Sequence, residues 1–174
     1  MKDILKLYAI YNRDMNNKIM EILSDFPDEE LKKERNIYYK SIFNLFTHIA
    51  RAGWGYQKGI QIISKNKYFS YLGEGVSPVE KKQSSFSEAS GILKETDKAF
   101  IEFIESLSMD DLNCKMEKFK MYNNRIVDVS IWEIITQHIT HQIHHRGQLS
   151  QVLDELNIEH DIGNIWPYVK GADK

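Results

Sequence analysis

Residues 130–156 read SIWEIITQHITHQIHHRGQLSQVLDEL, and one helical period runs through the whole stretch. Ser130-Ile131-Trp132-Glu133 has the form of a capping box, in which a Ser hydroxyl and a Glu carboxylate three residues on reciprocally satisfy free backbone amides. Ile131, Ile134, His138, His141, His145, Leu149, Val152 and Leu156 then follow in unbroken steps of three and four, the spacing of one helix face. Asn157 suits the C-cap. Three histidines therefore stand where the pattern demands apolar side chains. At about 100° per residue, His141 and His145 lie about 40° apart, His138 lies within about 20° of His145, and His144 points roughly 100° away to a flank.

Three further segments carry the same period. The first runs from about Asp3 to Leu23, with Ile4, Tyr8, Tyr11, Met15, Ile19 and Ile22 as its stripe, and Pro27 breaks the chain beyond it. The second runs from about Ser41 to Lys65 through Ile42, Leu45, Ile49, Ala52, Tyr56, Ile60 and Ile63. Gly53, Gly55 and Gly59 weaken it and suit close packing or a bend. A loop over Asn66–Ser84, with Gly73, Gly75 and Pro78, leads to the capping-box pattern Ser85-Phe86-Ser87-Glu88. Phe86, Ala89, Leu93, Thr96, Phe100, Phe103 and Leu107 follow at helical spacing. After Asp110 the period changes, and Cys114–Met121 with Arg125–Val129 around Tyr122-Asn123-Asn124 predicts a short β-hairpin. Four amphipathic helices imply an all-α four-helix bundle with a hairpin before the last helix, one domain over residues 1–174. The tail, with His160, Trp166 and Pro167, is expected to pack back over it.

Composition narrows the function classes. The chain has 174 residues, 42% apolar and 28% charged, and a formal net charge of −2. Its basic residues are dispersed, so neither nucleic acid nor an anionic membrane is an expected partner. Nothing approaches the ~20 apolar residues of a membrane span or a signal-peptide core, and cytoplasmic residence is the default expectation. The lone Cys114 excludes an intrachain disulfide and a cysteine zinc site. It reads as an incidental thiol.

Clustered imidazoles in a core stripe are costly, since they are poorly hydrated and cannot all be protonated. A bound cation removes both problems, because neutral imidazole is a favoured ligand. Histidines four apart can converge on one ion. A third ligand should come from another helix, and His48, beside Leu45 and Ala52 in the second segment, is the best candidate. His138 stays in register as an alternative. Imidazole ligation suits zinc, nickel, iron and copper alike, with zinc or nickel placed first here and iron next.

His141-Gln142-Ile143-His144-His145-Arg146-Gly147-Gln148 resembles the His-x-x-x-His-Arg-Gly-Gln signature of the DinB (DinB/YfiT-like) family, and Leu45-Phe46-Thr47-His48-Ile49-Ala50 resembles its upstream histidine motif. The resemblance covers nearly the whole chain. It implies an up-down-down-up bundle holding one divalent metal through His48, His141 and His145, with His138 and His144 outside the ligand set. Gly147 would allow close packing, while Arg146 and Gln148 would bridge helices or orient a ligand. The family includes transferases that use low-molecular-weight thiols such as bacillithiol or mycothiol, which implies a metal-dependent S-transferase acting on a small-molecule substrate. A metal-dependent hydrolase and a non-enzymatic metal-binding or haem bundle are the alternatives. Hydrolysis would want a general base, and Glu133 is the one acid on the first turns of the last helix, where capping suits it better. Tyr8, Tyr11, Trp54 and Tyr56 are candidates either to line a pocket or to pack the core. A bundle this rich in aromatics also suits a homodimer.

Overall fold

Helix α1 (Lys2–Ser24) ends where Pro27 forces extended backbone, and Pro27 itself is the N-cap of a five-residue helix, α2 (Asp28–Lys32). Three acids in that first turn favour so short a helix by placing negative charge near the positive end of its dipole. The remaining elements are α3 (Ile42–Ser64), α4 (Phe86–Ser106), the short α5 (Met109–Asn113), strands β1 (Lys115–Lys120) and β2 (Ile126–Ser130), α6 (Ile131–Glu155) and a 3₁₀ turn at Trp166–Tyr168. The computed structural model describes residues 1–64, 83–120 and 125–169, with side chains omitted at 54–64 and 120. The expected 66–84 loop, apart from its last two residues, lies outside the described residues, as do the hairpin turn at 122–124 and the side chains of Trp54 and Tyr56.

Contacts along the helices fix their directions. Lys6 pairs with Glu105 while Asn16 meets Asp97, so α1 and α4 are antiparallel. Phe46 meets Phe86 while Gly53 lies against Thr96, so α3 and α4 run the same way. His48 against His145 and Gly53 against His138 make α3 and α6 antiparallel. The order is up-down-down-up, a bundle that is predominantly α-helical with an antiparallel hairpin before its last helix.

The capping boxes differ. At α6 the reciprocal pair Ser130–Glu133 is complete, with the Ser130 amide donating to Glu133 Oε2 at 2.7 Å. At α4, Ser85 Oγ accepts from the Glu88 amide, but the Glu88 carboxylate reaches Ser84 instead of Ser85. The end of α6 is a Schellman turn. Asn157 sits past the cap Leu156 at φ 54°, and the Asn157 and Ile158 amides donate to Asp154 and Leu153 carbonyls. In the hairpin a bulge between Met116 and Phe119 puts Lys118 at φ 57°, its amide donating to Asp128 Oδ1.

Two apolar clusters fill the bundle. One gathers Ile19, Leu23, Leu31, Phe46, Leu93, Leu149 and Leu153. The other gathers Leu5, Phe100, Phe103, Leu112, Met116, Ile131 and Ile135. Ile4 is a correction to the expected stripe of α1. It is 61% exposed, and Leu5, Ala9, Asn12, Met15, Asn16, Ile19 and Leu23 face inward instead. Between the clusters lies a buried polar layer: Asn12, Asn16, Thr96, Asp97, His138, Gln142 and Arg146. Gly147 is also corrected, because it is exposed and an added Cβ would meet nothing within 4 Å. Close packing instead belongs to Gly53, whose Cβ would fall 2.9 Å from Thr96 Cγ2 and 3.1 Å from His138 Cε1. The tail returns over α1: Ile162 is buried, Tyr11 donates to the Gly163 carbonyl, and Tyr11 meets Tyr168 edge-on.

Gly53→Val is expected to lower unfolding stability by about 1–3 kcal/mol, because three helices meet at this point and cannot all retreat. Urea denaturation midpoints against the parent protein measure it.

Candidate metal centre

The start of α3 and the middle of α6 face each other as antiparallel neighbours, and this sets the site. His48 lies in the second turn of α3. His141 and His145 lie one turn apart on the facing side of α6. Their Nε2 atoms form a nearly equilateral triangle: His48–His141 3.2 Å, His48–His145 3.1 Å and His141–His145 3.1 Å. Hydrogen bonds alone do not account for this arrangement, since each neutral Nε2 carries either a proton or a lone pair, so at least one of the three contacts sets like against like. Three donors each about 2.0–2.1 Å from one ion must themselves lie about 3 Å apart. The donor set therefore fits a divalent metal, and the three histidines form a cluster capable of coordinating one.

The rings are held in place from behind. His145 Nδ1–H donates to Gln148 Oε1 at 2.7 Å, which leaves Nε2 free to face the other two rings. Tyr39, in the connection before α3, lies over His48 with ring centroids 4.8 Å apart and meets His145 edge-on at 5.5 Å. Burial pushes the His48 and His141 imidazoles down to about 4, each further lowered by neighbouring imidazoles, and Arg51 adds to the effect at His48. Burial also lowers His145, against the opposing pull of its bond to Gln148. All three shifts run toward the neutral imidazole, the form that ligates a metal without a competing proton.

His138 lies apart from the triangle. It is fully buried one turn back, its edge on the Phe100 ring at 4.3 Å, and desolvation depresses it to about 3. His144 is exposed on the flank, against the His145 ring. Tyr11 packs beneath Arg146 and Tyr8 packs against Tyr11, so both belong to the core and tail contact rather than to the triangle. Cys114 is exposed at the foot of the hairpin.

The polar layer beside the triangle is what the sequence reading missed. Asn16 Nδ2 donates to Asp97 Oδ2 at 2.9 Å and to Gln142 Oε1 at 3.5 Å. Gln142 Nε2 donates to the Ile49 carbonyl, one residue past His48, and Arg146 Nη2 donates to Asn12 Oδ1 at 2.6 Å. A readable signal existed: Leu5, Ala9, Asn12, Asn16, Ile19 and Leu23 step by threes and fours, with two asparagines in the stripe. Tyr39 had no such signal, since it sits in a connection without a period.

A fold of this kind, with three histidines converging from two helices, defines a class of helical bundles built around a metal-capable centre. The sequence profile of the DinB family matches residues 1–160, and the chain belongs to that family. No curated protein matches it.

Burial raises the Asp97 carboxyl to about 7, against the lowering effects of Asn16 and Arg146. With an unfolded value near 3.8, the native state binds the extra proton between those limits, so this group's contribution to stability falls as pH rises from about 4 to 7. His138 acts in the opposite sense, since its depressed native value favours folding as pH rises from about 3 to 6.5. Comparing Asp97→Asn with the parent cancels the histidine contribution. The variant should gain stability relative to the parent, on the order of a few kcal/mol, between pH 4 and pH 7.5. Urea midpoints at both pH values check the sign.

Proposed function

We propose that His48, His141 and His145 hold one divalent ion, zinc or nickel before iron, and that the site transfers a low-molecular-weight thiol to an electrophile. One observation carries this reading: three imidazole nitrogens converge on one point, and no Asp or Glu joins their cluster among the described residues. Three protein ligands leave coordination room, as in catalytic rather than structural sites. A divalent ion bound there would lower the pKa of a thiol or polarise an acceptor.

A thiol substrate brings its own nucleophile and needs no protein base once its proton is readily lost to solvent. Hydrolysis does need one, and Glu133 is committed to the cap of α6. The chain's own part is positional. Gln148 fixes the His145 tautomer, Tyr39 walls one side, and the Gln142–Ile49 bond ties α6 to α3 beside His48. With 1-chloro-2,4-dinitrobenzene as a generic electrophile, the thiol sulfur forms the new C–S bond as the C–Cl bond breaks. Chloride leaves with the bonding pair, and the thiol proton passes to solvent.

Protein purified without a histidine tag should carry close to one metal per chain by elemental analysis. His48→Ala should lose it and His144→Ala keep it. Gln148→Leu should weaken binding roughly 10–100-fold in a competition titration with a chromophoric chelator. Metal-loaded protein, given cysteine, glutathione, bacillithiol or mycothiol in turn with the chlorodinitrobenzene, should turn over with at least one thiol. Rates no higher than those of His141→Ala with every thiol would refute the transferase reading while leaving the metal site standing.

A further inference from the structure

Beside the triangle, between the 37–39 connection and the outer face of α6, lies a groove of about 540 Å³, within the usual range for small-molecule sites. Tyr38, Leu45 and Val152 line its apolar side, and Glu155 supplies a carboxylate. No lysine or arginine lines it among the described residues. It shares two side chains with the metal centre: Tyr39, which lies on His48, and Gln148, which holds His145.

Gly147 is the residue that gives the groove meaning. A glycine inside a helix costs about 1 kcal/mol relative to alanine, and here packing gives no reason for it, since an added Cβ meets nothing within 4 Å. Gly147 lines the groove, however, so a side chain there would stand in the open space. The connection opposite is held firmly. Lys40 adopts φ 67°, which is unfavourable for a residue with a side chain. Hydrogen bonds from the Arg35 amide to Lys40 O and from the Lys40 amide to Ile37 O close the loop that carries Tyr38 and Tyr39. Tyr38 is 86% exposed at this edge, touching the ring of Tyr39.

We infer that this groove binds the non-reacting body of the electrophilic substrate, and that it selects an uncharged aromatic or alkyl group over an anionic one. The inference rests on the transferase reading for the word substrate, but the groove can be tested without turnover. The apolar and tyrosine surface provides the affinity. Glu155, with no lysine or arginine beside it in the lining among the described residues, opposes a carboxylate or phosphate. The bare face of α6 at Gly147 leaves room for the ligand.

Ligand-observed NMR titrations with 2-naphthylmethanol and with 2-naphthoate test it. They are run at pH 8. The neutral arene should bind at least tenfold more tightly than the carboxylate, and Glu155→Gln should narrow that gap to threefold or less. Gly147→Leu should raise the thermal midpoint yet weaken arene binding at least tenfold, and Tyr38→Ala, at an exposed position, should weaken it at least threefold. Equal binding of the two arenes, or undiminished binding in Gly147→Leu, would overturn the proposal. The same titrations on His141→Ala, which is impaired at the metal centre, should show the same preference. In the parent protein, the preference without thiol turnover would sink the transferase reading alone, and turnover without the preference would sink the groove alone.

Discussion

Asn12, Asn16, Asp97, Gln142 and Arg146 cross the centre of the bundle at one level, and the rest of the structure depends on the hydrogen bonds they make there. All five are at most 4% exposed. A buried polar group without a partner costs about 1–3 kcal/mol, and a charged one more. Asn16 reaches Asp97 on α4 and Gln142 on α6, Gln142 reaches the backbone of α3, and Arg146 reaches Asn12 on α1. A slip of one helix by a turn would break several of these bonds together. The apolar clusters on either side could tolerate such a slip far better, because hydrophobic contact is not directional. The layer therefore sets the register that brings α3 and α6 to the separation the three histidines need.

That coupling explains why the imidazoles can be neutral and clustered. Their ring nitrogens sit about 3 Å apart on helices that cannot drift, and burial disfavours the protonated forms that would repel one another. The histidine cost is carried by scaffold bonds elsewhere, chiefly Gln142 to Ile49, one residue from His48. Arg146 keeps its charge within the layer, although burial lowers its pKa, because Asn12 accepts from it and Tyr11 presents a ring face.

The bundle, the hairpin and the convergence of His48 with His141 and His145 were legible because long periods dominate the sequence. In α6 the histidines interrupted an apolar stripe, and an interruption in register is a strong signal. The same signal in α1 is weaker, since asparagines at 12 and 16 are common on solvated helix faces and a stripe one residue off runs through Ile4. The short helices α2 and α5 carry too few residues to show a period; local caps decide them, as at Ser108 and Asp111. Tyr39 was invisible because its place depends on how a non-periodic connection closes. The close packing expected of Gly147 belongs to Gly53, since of the two only at Gly53 would a Cβ meet its neighbours.

The stretch His145-Arg146-Gly147-Gln148 shows how one helical turn serves several surroundings. Each residue turns about 100° from the last, so consecutive side chains cannot share a destination. His145 faces the triangle, Arg146 turns into the polar layer toward α1, and Gly147 faces outward into the groove. Gln148, three residues on from His145, comes back over the same face and reaches the rear of its ring. Of the four, only Gly147 has no partner requirement in the fold, and it is the one whose identity costs helix stability. A residue placed against propensity at the wall of a groove argues for what must enter that groove, just as histidines in a core stripe argue for what they converge on.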